Sequence, residues 1–167
     1  MTGNQANTRA ESRERSSDGR HGAVPAVDSL VWFSLDGKSY GLDVAVVREV
    51  VTIDRLVPVP GTPAAILGAF ALRGATVALV DTRLLFGLDA ATSATTALVV
   101  ARGHRTICGL TIDRVIDVAP FADASFIPAV RGREPPQIAG VVPDGRGGLL
   151  TVLDTSTILQ SLESLRR

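Results

Sequence analysis

Two stretches of this chain decide how the rest is read: YGLDVAVVREV, residues 40–50, and CGLTIDRVIDV, residues 108–118. Aligned without gaps, Gly41 falls on Gly109 and Leu42 on Leu110, and Val47 and Val50 fall on Val115 and Val118. Val44 and Ile112 match in kind, as do Glu49 and Asp117. A second pair follows in the same order. ILGAFALRGATVALVDTRLL begins at Ile66 and IAGVVPDGRGGLLTVLDTSTIL at Ile138, which places Gly68 on Gly140. After one extra residue in the later turn, Asp81-Thr82 falls on Asp154-Thr155. Two blocks repeated in one order indicate a duplicated unit, with too few copies and too long a period for a solenoid. Two similar small β-barrels packed together are the natural product, since closing a sheet removes its exposed edges.

The flanking sequence supports strands. Residues 30–42 alternate β-prone side chains around Asp36-Gly37, a pair suited to a hairpin turn whose central residues both need positive φ. After it, Val44, Val47, Val50 and Val51 fall at helix-like spacing while the valine and isoleucine content favours strand, which reads as one helical turn running into a strand. Pro58, Pro60 and Pro63 make residues 57–63 a loop, and Ala64 to Leu67 is expected to form a short turn of helix. A hairpin follows, turning at Arg73-Gly74, and then a short helix from Thr82 to Phe86, capped by Asp81 and ended by Gly87. The second half runs through Ala97–Ala101, the turn RGHR at 102–105, TICGLTID and Val115–Val118. A Pro- and Gly-rich loop at 129–137 leads to a hairpin around DGRGG. A closing helix, Ser156 to Leu165, sets Ile158, Leu159, Leu162 and Leu165 on one face.

With these blocks in order, the chain resembles the CheW family of chemotaxis coupling proteins from about Leu30 to Leu162. The markers are F-x-L-D-G-x-x-Y-G-L-D at Phe33–Asp43, V-x-E-V at Val47–Val50, P-x-x-I-L-G at Pro63–Gly68, A-L-R-G at Ala71–Gly74 and L-V-D-T-R at Leu79–Arg83. G-L-x-I-D-x-V at Gly109–Val115 and I-x-G at Ile138–Gly140 complete the series. The resemblance implies a mainly β fold of two intertwined SH3-like, five-stranded barrels, with short helices between strands and a C-terminal helix. The lobes are expected at roughly 29–95 and 96–155, with the closing helix at 156–165 and a disordered tail at 1–28.

It also implies a non-enzymatic adaptor, without cofactor or metal, that assembles into arrays. Its partners would be the regulatory domain of a CheA-type histidine kinase and the cytoplasmic tip of a methyl-accepting chemoreceptor. The family's N-L-R-G motif lands on Ala71-Leu72-Arg73-Gly74, so Arg73 matches the coupling arginine while Ala71 replaces the usual Asn. Val47, Glu49 and Gly68 match family positions tied to receptor or kinase contact, and Ala78 stands where a proline often follows the hairpin. The expected protein-binding residues are therefore Arg73, Gly68, Val47, Glu49, Leu72 and Gly74. Read without the resemblance, Arg73 is first a solvated turn charge, the usual fate of an arginine, and Gly68 either marks a close backbone approach or leaves a bare patch for a partner. Ala71 cannot make an Asn side chain's hydrogen bonds, so a non-flagellar array serving gliding or pili stays open beside flagellar chemotaxis.

Composition sets the boundaries. Among 167 residues, 17 Lys and Arg balance 17 Asp and Glu, and aromatics are 4%. Neutral charge and few stacking platforms argue against a nucleic-acid-binding barrel, the competing use of such a fold. The start is polar, without the apolar core of a signal peptide, and the apolar run Ala64–Leu72 is too short to span a bilayer, so a cytoplasmic protein without membrane insertion is expected, recruited to membrane-attached receptor arrays. Cys108 is the sole cysteine and is expected to be a buried, inert thiol. His21 and His104 lack companions for a metal site. An enzyme would need two of Asp81, Asp154 and Glu49 in one cleft, whereas the position of the two aspartates before Thr suits helix capping.

Overall fold

A computed structural model describes residues 24–90, 93, 95–121 and 123–165. The expected tail falls on residues 1–23, outside the described residues, and on Val24–Asp28, which are placed. There, Val27 packs against an apolar cluster and the Asp28 carbonyl accepts a bond from Phe121 N at 2.9 Å.

The first half gives strands β1 (Ser29–Leu35) and β2 (Lys38–Asp43), a 3-10 turn (Val44–Val46), and β3 (Val47–Thr52). It continues with β4 (Ile66–Leu72), β5 (Ala75–Val80) and helix α1 (Thr82–Leu85). The second half repeats the order with β6 (Thr96–Arg102), β7 (Arg105–Ile112) and β8 (Arg114–Pro120). After a 3-10 turn (Asp123–Ser125) come β9 (Ile127–Pro128), β10 (Ile138–Pro143), β11 (Leu149–Leu153) and α2 (Thr155–Ser164). The turn signals act as their chemistry dictates: Asp36 and Gly37 have φ of 54° and 71°, the left-handed pair a two-residue hairpin requires. Ile66 and Leu67 correct the helical reading of 64–67. They begin β4, and only Ala64 and Ala65 form the turn.

The strands form two sheets, one ordered β8-β1-β2-β11-β10-β9 and the other β3-β6-β7-β5-β4. Each sheet keeps one half's opening hairpin and takes its remaining strands from the other half. The parallel contacts β2–β11 and β5–β7 join the halves at equivalent places. The register irregularities repeat as well. A shift in β3 between Val47 and Glu49 matches one in β8 between Val115 and Asp117, and a shift between Ile66 and Gly68 matches one between Ile138 and Gly140. Bulges are positioned features that redirect side chains, so their repetition is stronger evidence of duplication than shared valines.

The main core draws on both sheets and the C-terminal helix. Phe33, Leu35 and Leu42 meet Leu98, Leu110 and Ile112, with Ile158 and Leu162 of α2 packed among them. Smaller clusters serve each sheet, one around Leu30 and Leu150, the other around Phe70 and Leu79. Asp81 caps α1 by accepting from Arg83 N and Leu84 N, and Asp154 caps α2 by accepting from Thr157 N. An ion-pair triad ties the ends of the sheets together. Arg83 of α1 reaches Asp36 at 3.1 Å and Asp113 at 3.2 Å.

Candidate partner-binding site

The β4–β5 hairpin turns at Arg73 and Gly74, with φ of 48° and 82°. Gly adopts such a conformation freely, whereas an Arg there carries some strain. The turn aims the Arg73 side chain at β3. The bulge in β3 makes Arg48 the extra residue, so that Glu49 sits opposite Val99. The two side chains meet as a fork: Arg73 Nε donates to Glu49 Oε1 at 3.2 Å, and Nη2 to Oε2 at 3.0 Å. Bidentate geometry of this kind fixes orientation as well as charge. The Arg73 hydrogen bond, helped by the charges of Arg73 and Arg48 and opposed by desolvation, holds the Glu49 carboxyl below its ordinary range.

This pair bridges the opposite edges of the five-stranded sheet, because β3 and β4 are its terminal strands. Among the described residues, no ion pair takes its place in the six-stranded sheet. Asp117, in the place of Glu49, accepts from Val118 N at 2.8 Å. Asp144, near the place of Arg73, accepts from Arg146 N and Gly148 N, both at 2.8 Å. Duplication thus produced one ion-paired tip and one turn stapled to its own backbone.

The Arg73 side chain is 79% exposed against 22% for Glu49, so the arginine presents its outward N–H groups to solvent. Gly74 is exposed beside it. The remaining expected residues lie deeper. Val47 is half-buried against the main core, and Leu72 packs toward the Phe70–Leu79 cluster. Gly68 is buried, and a Cβ there would stand 2.6 Å from the Val57 carbonyl oxygen. The close approach of the Leu56–Val57 strap accounts for this glycine. Gly140 repeats the arrangement beneath the Ile127 carbonyl.

The structure adds residues that sequence reading passed over. Val57 bonds to Ala69 in both directions at 2.8 Å, and Ala69 pairs with Ala78. Val57, Ala69 and Ala78 therefore form a row across one face of the hairpin, followed by the pair Ala71 and Thr76. Val57, Ala71 and Thr76 are exposed, which makes a smooth, mostly apolar surface leading to the Arg73–Glu49 pair. The repeated Gly68 and Gly140 were the available signal for the strap.

Against this geometry the comparisons with known proteins fall into place. Residues 29–163 match the model of the CheW-like domain. The chain belongs to the CheW-like family. A Treponema pallidum protein named chemotaxis protein CheW is 30% identical over 142 residues, covering 80% of this chain and 83% of that protein. The Rhizobium meliloti chemotaxis protein CheW is 29% identical over 59% of this chain, and this chain spans 64% of its length. The scaffolding protein TtCheW from Thermoanaerobacter tengcongensis has the same fold, with a TM-score of 0.65 at 26% identity, covering 77% of this chain and 89% of that one.

Asp81 is fully buried at a helix start, Asp154 caps α2, and Glu49 is paired with Arg73, so the three stand in separate settings. Cys108 is buried. A cavity of about 520 Å³ beside α2 is lined by Asp154 and Glu134 but by neither Asp81 nor Glu49. Among the described residues, no group of three or more His, Cys, Asp or Glu stands close enough to hold a metal ion, and no helix is long and apolar enough to cross a membrane.

Proposed function

We propose that this chain is a non-enzymatic adaptor that couples a methyl-accepting chemoreceptor to a CheA-type histidine kinase within a cytoplasmic, membrane-attached array. Family membership supports the adaptor class, and the Arg73–Glu49 pair is the observation that carries the reading. A pre-oriented, largely exposed guanidinium next to a small-residue apolar face suits recognition of a helix. The helix lays its apolar side on Val57, Ala69 and Ala78 and hydrogen-bonds to Arg73 at the rim. Coupling is then a population shift, in which one receptor state fits this face better and biases the bound kinase. Val47, Leu72 and Gly68 act from beneath by holding β3, the hairpin and the strap in place.

Ala71 favours one refinement. It is exposed beside Arg73, in the place of the Asn expected from the resemblance, so the partner helix meets a methyl group where an amide is usual. That fits a receptor of a separate array, such as one serving gliding or pili.

The test is binding of the purified chain to the cytoplasmic tips of the chemoreceptors encoded in the same genome, comparing wild type with Arg73→Glu. The expected result is saturable binding to at least one tip, lost in the variant while its melting temperature is preserved. Equal binding by both proteins would remove Arg73 from the interface.

A further inference from the structure

The end of the five-stranded sheet next to Glu49 carries a second feature that the adaptor reading leaves unused. The β6–β7 turn is Arg102-Gly103-His104-Arg105, with all four residues exposed. Arg102 and Arg105 face each other across the ladder, a like-charge pairing that opposes the hairpin. Arg48, the extra residue of the β3 bulge, extends over the same tip. Its Nη1 donates to Thr106 Oγ1 at 2.8 Å and its Nη2 to the Gly103 carbonyl at 3.4 Å. Arg102 has a carboxylate neighbour in Glu163, at 3.4 Å. Among the described residues, no ion pair engages Arg48 or Arg105.

The duplication supplies an internal comparison. In the first half the equivalent turn is Leu35-Asp36-Gly37-Lys38, where an acid and a base offset each other, and the residue equivalent to Arg48 is Ile116. A two-residue hairpin turn therefore closes at the equivalent place without this concentration of charge. The three arginines thus belong to this tip rather than to the hairpin as such, and the facing Arg102 and Arg105 repel each other.

We propose that Arg48, Arg102, His104 and Arg105 form a docking patch for an acidic segment of a partner protein, whose carboxylates relieve that repulsion. Arginine suits the task because its fork matches a carboxylate in two-point geometry, and Arg48 is held in place by its bonds to the hairpin. An acidic peptide fits better than nucleic acid. The patch is confined to one hairpin tip on a chain of zero net charge, whereas nucleic-acid grooves need longer basic tracks and stacking aromatics.

The test is an NMR titration of the isotope-labelled full chain with hexaglutamate, with duplex DNA as a parallel probe. The expected result is saturable shifts centred on residues 48 and 102–106 that weaken as salt is raised. Arg48→Glu combined with Arg105→Glu should weaken the binding roughly tenfold. Arg105→Ala, which removes no hydrogen bond of the described structure, should weaken it to a smaller degree and guards against a folding artefact. Shifts that are absent, or scattered and insensitive to these variants, would overturn the proposal. So would tighter binding of DNA than of hexaglutamate through the same residues. Because neither probe is a receptor or kinase, failure here leaves the adaptor reading standing, and failure of that reading leaves this result intact.

Discussion

Replacing Gly68 by Ala tests whether this residue serves packing or partner contact. The new Cβ would sit 2.6 Å from the Val57 carbonyl oxygen and 3.0 Å from Leu56 Cγ, at a φ of 152° that side chains rarely adopt. The nearest obstacle is backbone, so the strap has to move. Strained φ costs about 1–3 kcal/mol, and forcing extra volume into a packed site costs a similar amount. Displacing the strap also strains the two 2.8 Å bonds between Val57 and Ala69, each contributing about 1 kcal/mol. Since the strain is relieved as the strap shifts, these costs overlap, and a net loss of about 3 kcal/mol is expected, lowering the melting temperature by roughly 10 °C. Gly41→Ala is the control. Its Cβ would meet side-chain atoms rather than backbone, Leu30 Cδ1 at 3.0 Å and Leu150 Cδ2 at 3.1 Å being the nearest, at an ordinary φ, and about 1 kcal/mol is expected. Thermal unfolding of both variants, with amide exchange at Val57 and Ala69, measures the difference. A Gly68→Ala protein that melts with wild type and keeps those amides protected would refute the packing argument and return Gly68 to the interface.

Further predictions follow from the same geometry. The Arg73 hydrogen bond lowers the Glu49 pKa, so the ion pair is fully present above the ordinary carboxylate range and is lost as pH falls through the lowered value. In carboxyl-carbon NMR titrations, Arg73→Ala should move Glu49 back upward, and an unchanged titration would contradict the fork geometry. Arg83→Ala removes the one arginine that Asp36 and Asp113 share, at a site where both carboxylates are exposed, and should cost up to about 1 kcal/mol in denaturant unfolding, whereas no change would show that the triad does not hold the sheets together. Leu162→Ala, buried between α2 and both sheets, should cost about 2–5 kcal/mol and leave a single cooperative transition, whereas two separated transitions would contradict a shared core.

How much of this was legible in the sequence depended on whether the signal was local. Asp36-Gly37 announced a turn because few other pairs tolerate two positive φ angles, and Asp81 and Asp154 announced helix starts because a short carboxylate reaches free amides. The duplication was visible because matched glycines and valines kept their order. Pairing partners were less visible. Nothing in the alternation of Val47–Thr52 says that this strand joins β6 rather than its own hairpin, and only the resemblance supplied the exchange. β9 was missed because Ile127–Pro128 is too short to show a period and contains a proline. The Arg73–Glu49 contact depends on a bulge at Arg48, and no glycine marks that bulge as Gly68 and Gly140 mark theirs. The RGHR turn was read as a turn alone, since the reach of Arg48 over it comes from that same bulge.

The measurement that tests the central claim most directly is calorimetric titration of the full chain into the regulatory domain of each CheA-type kinase encoded in the same genome. The adaptor account predicts saturable, micromolar binding to at least one of them. A folded sample that binds none of these domains, and none of the receptor tips, would contradict it and leave a CheW-like fold put to another use.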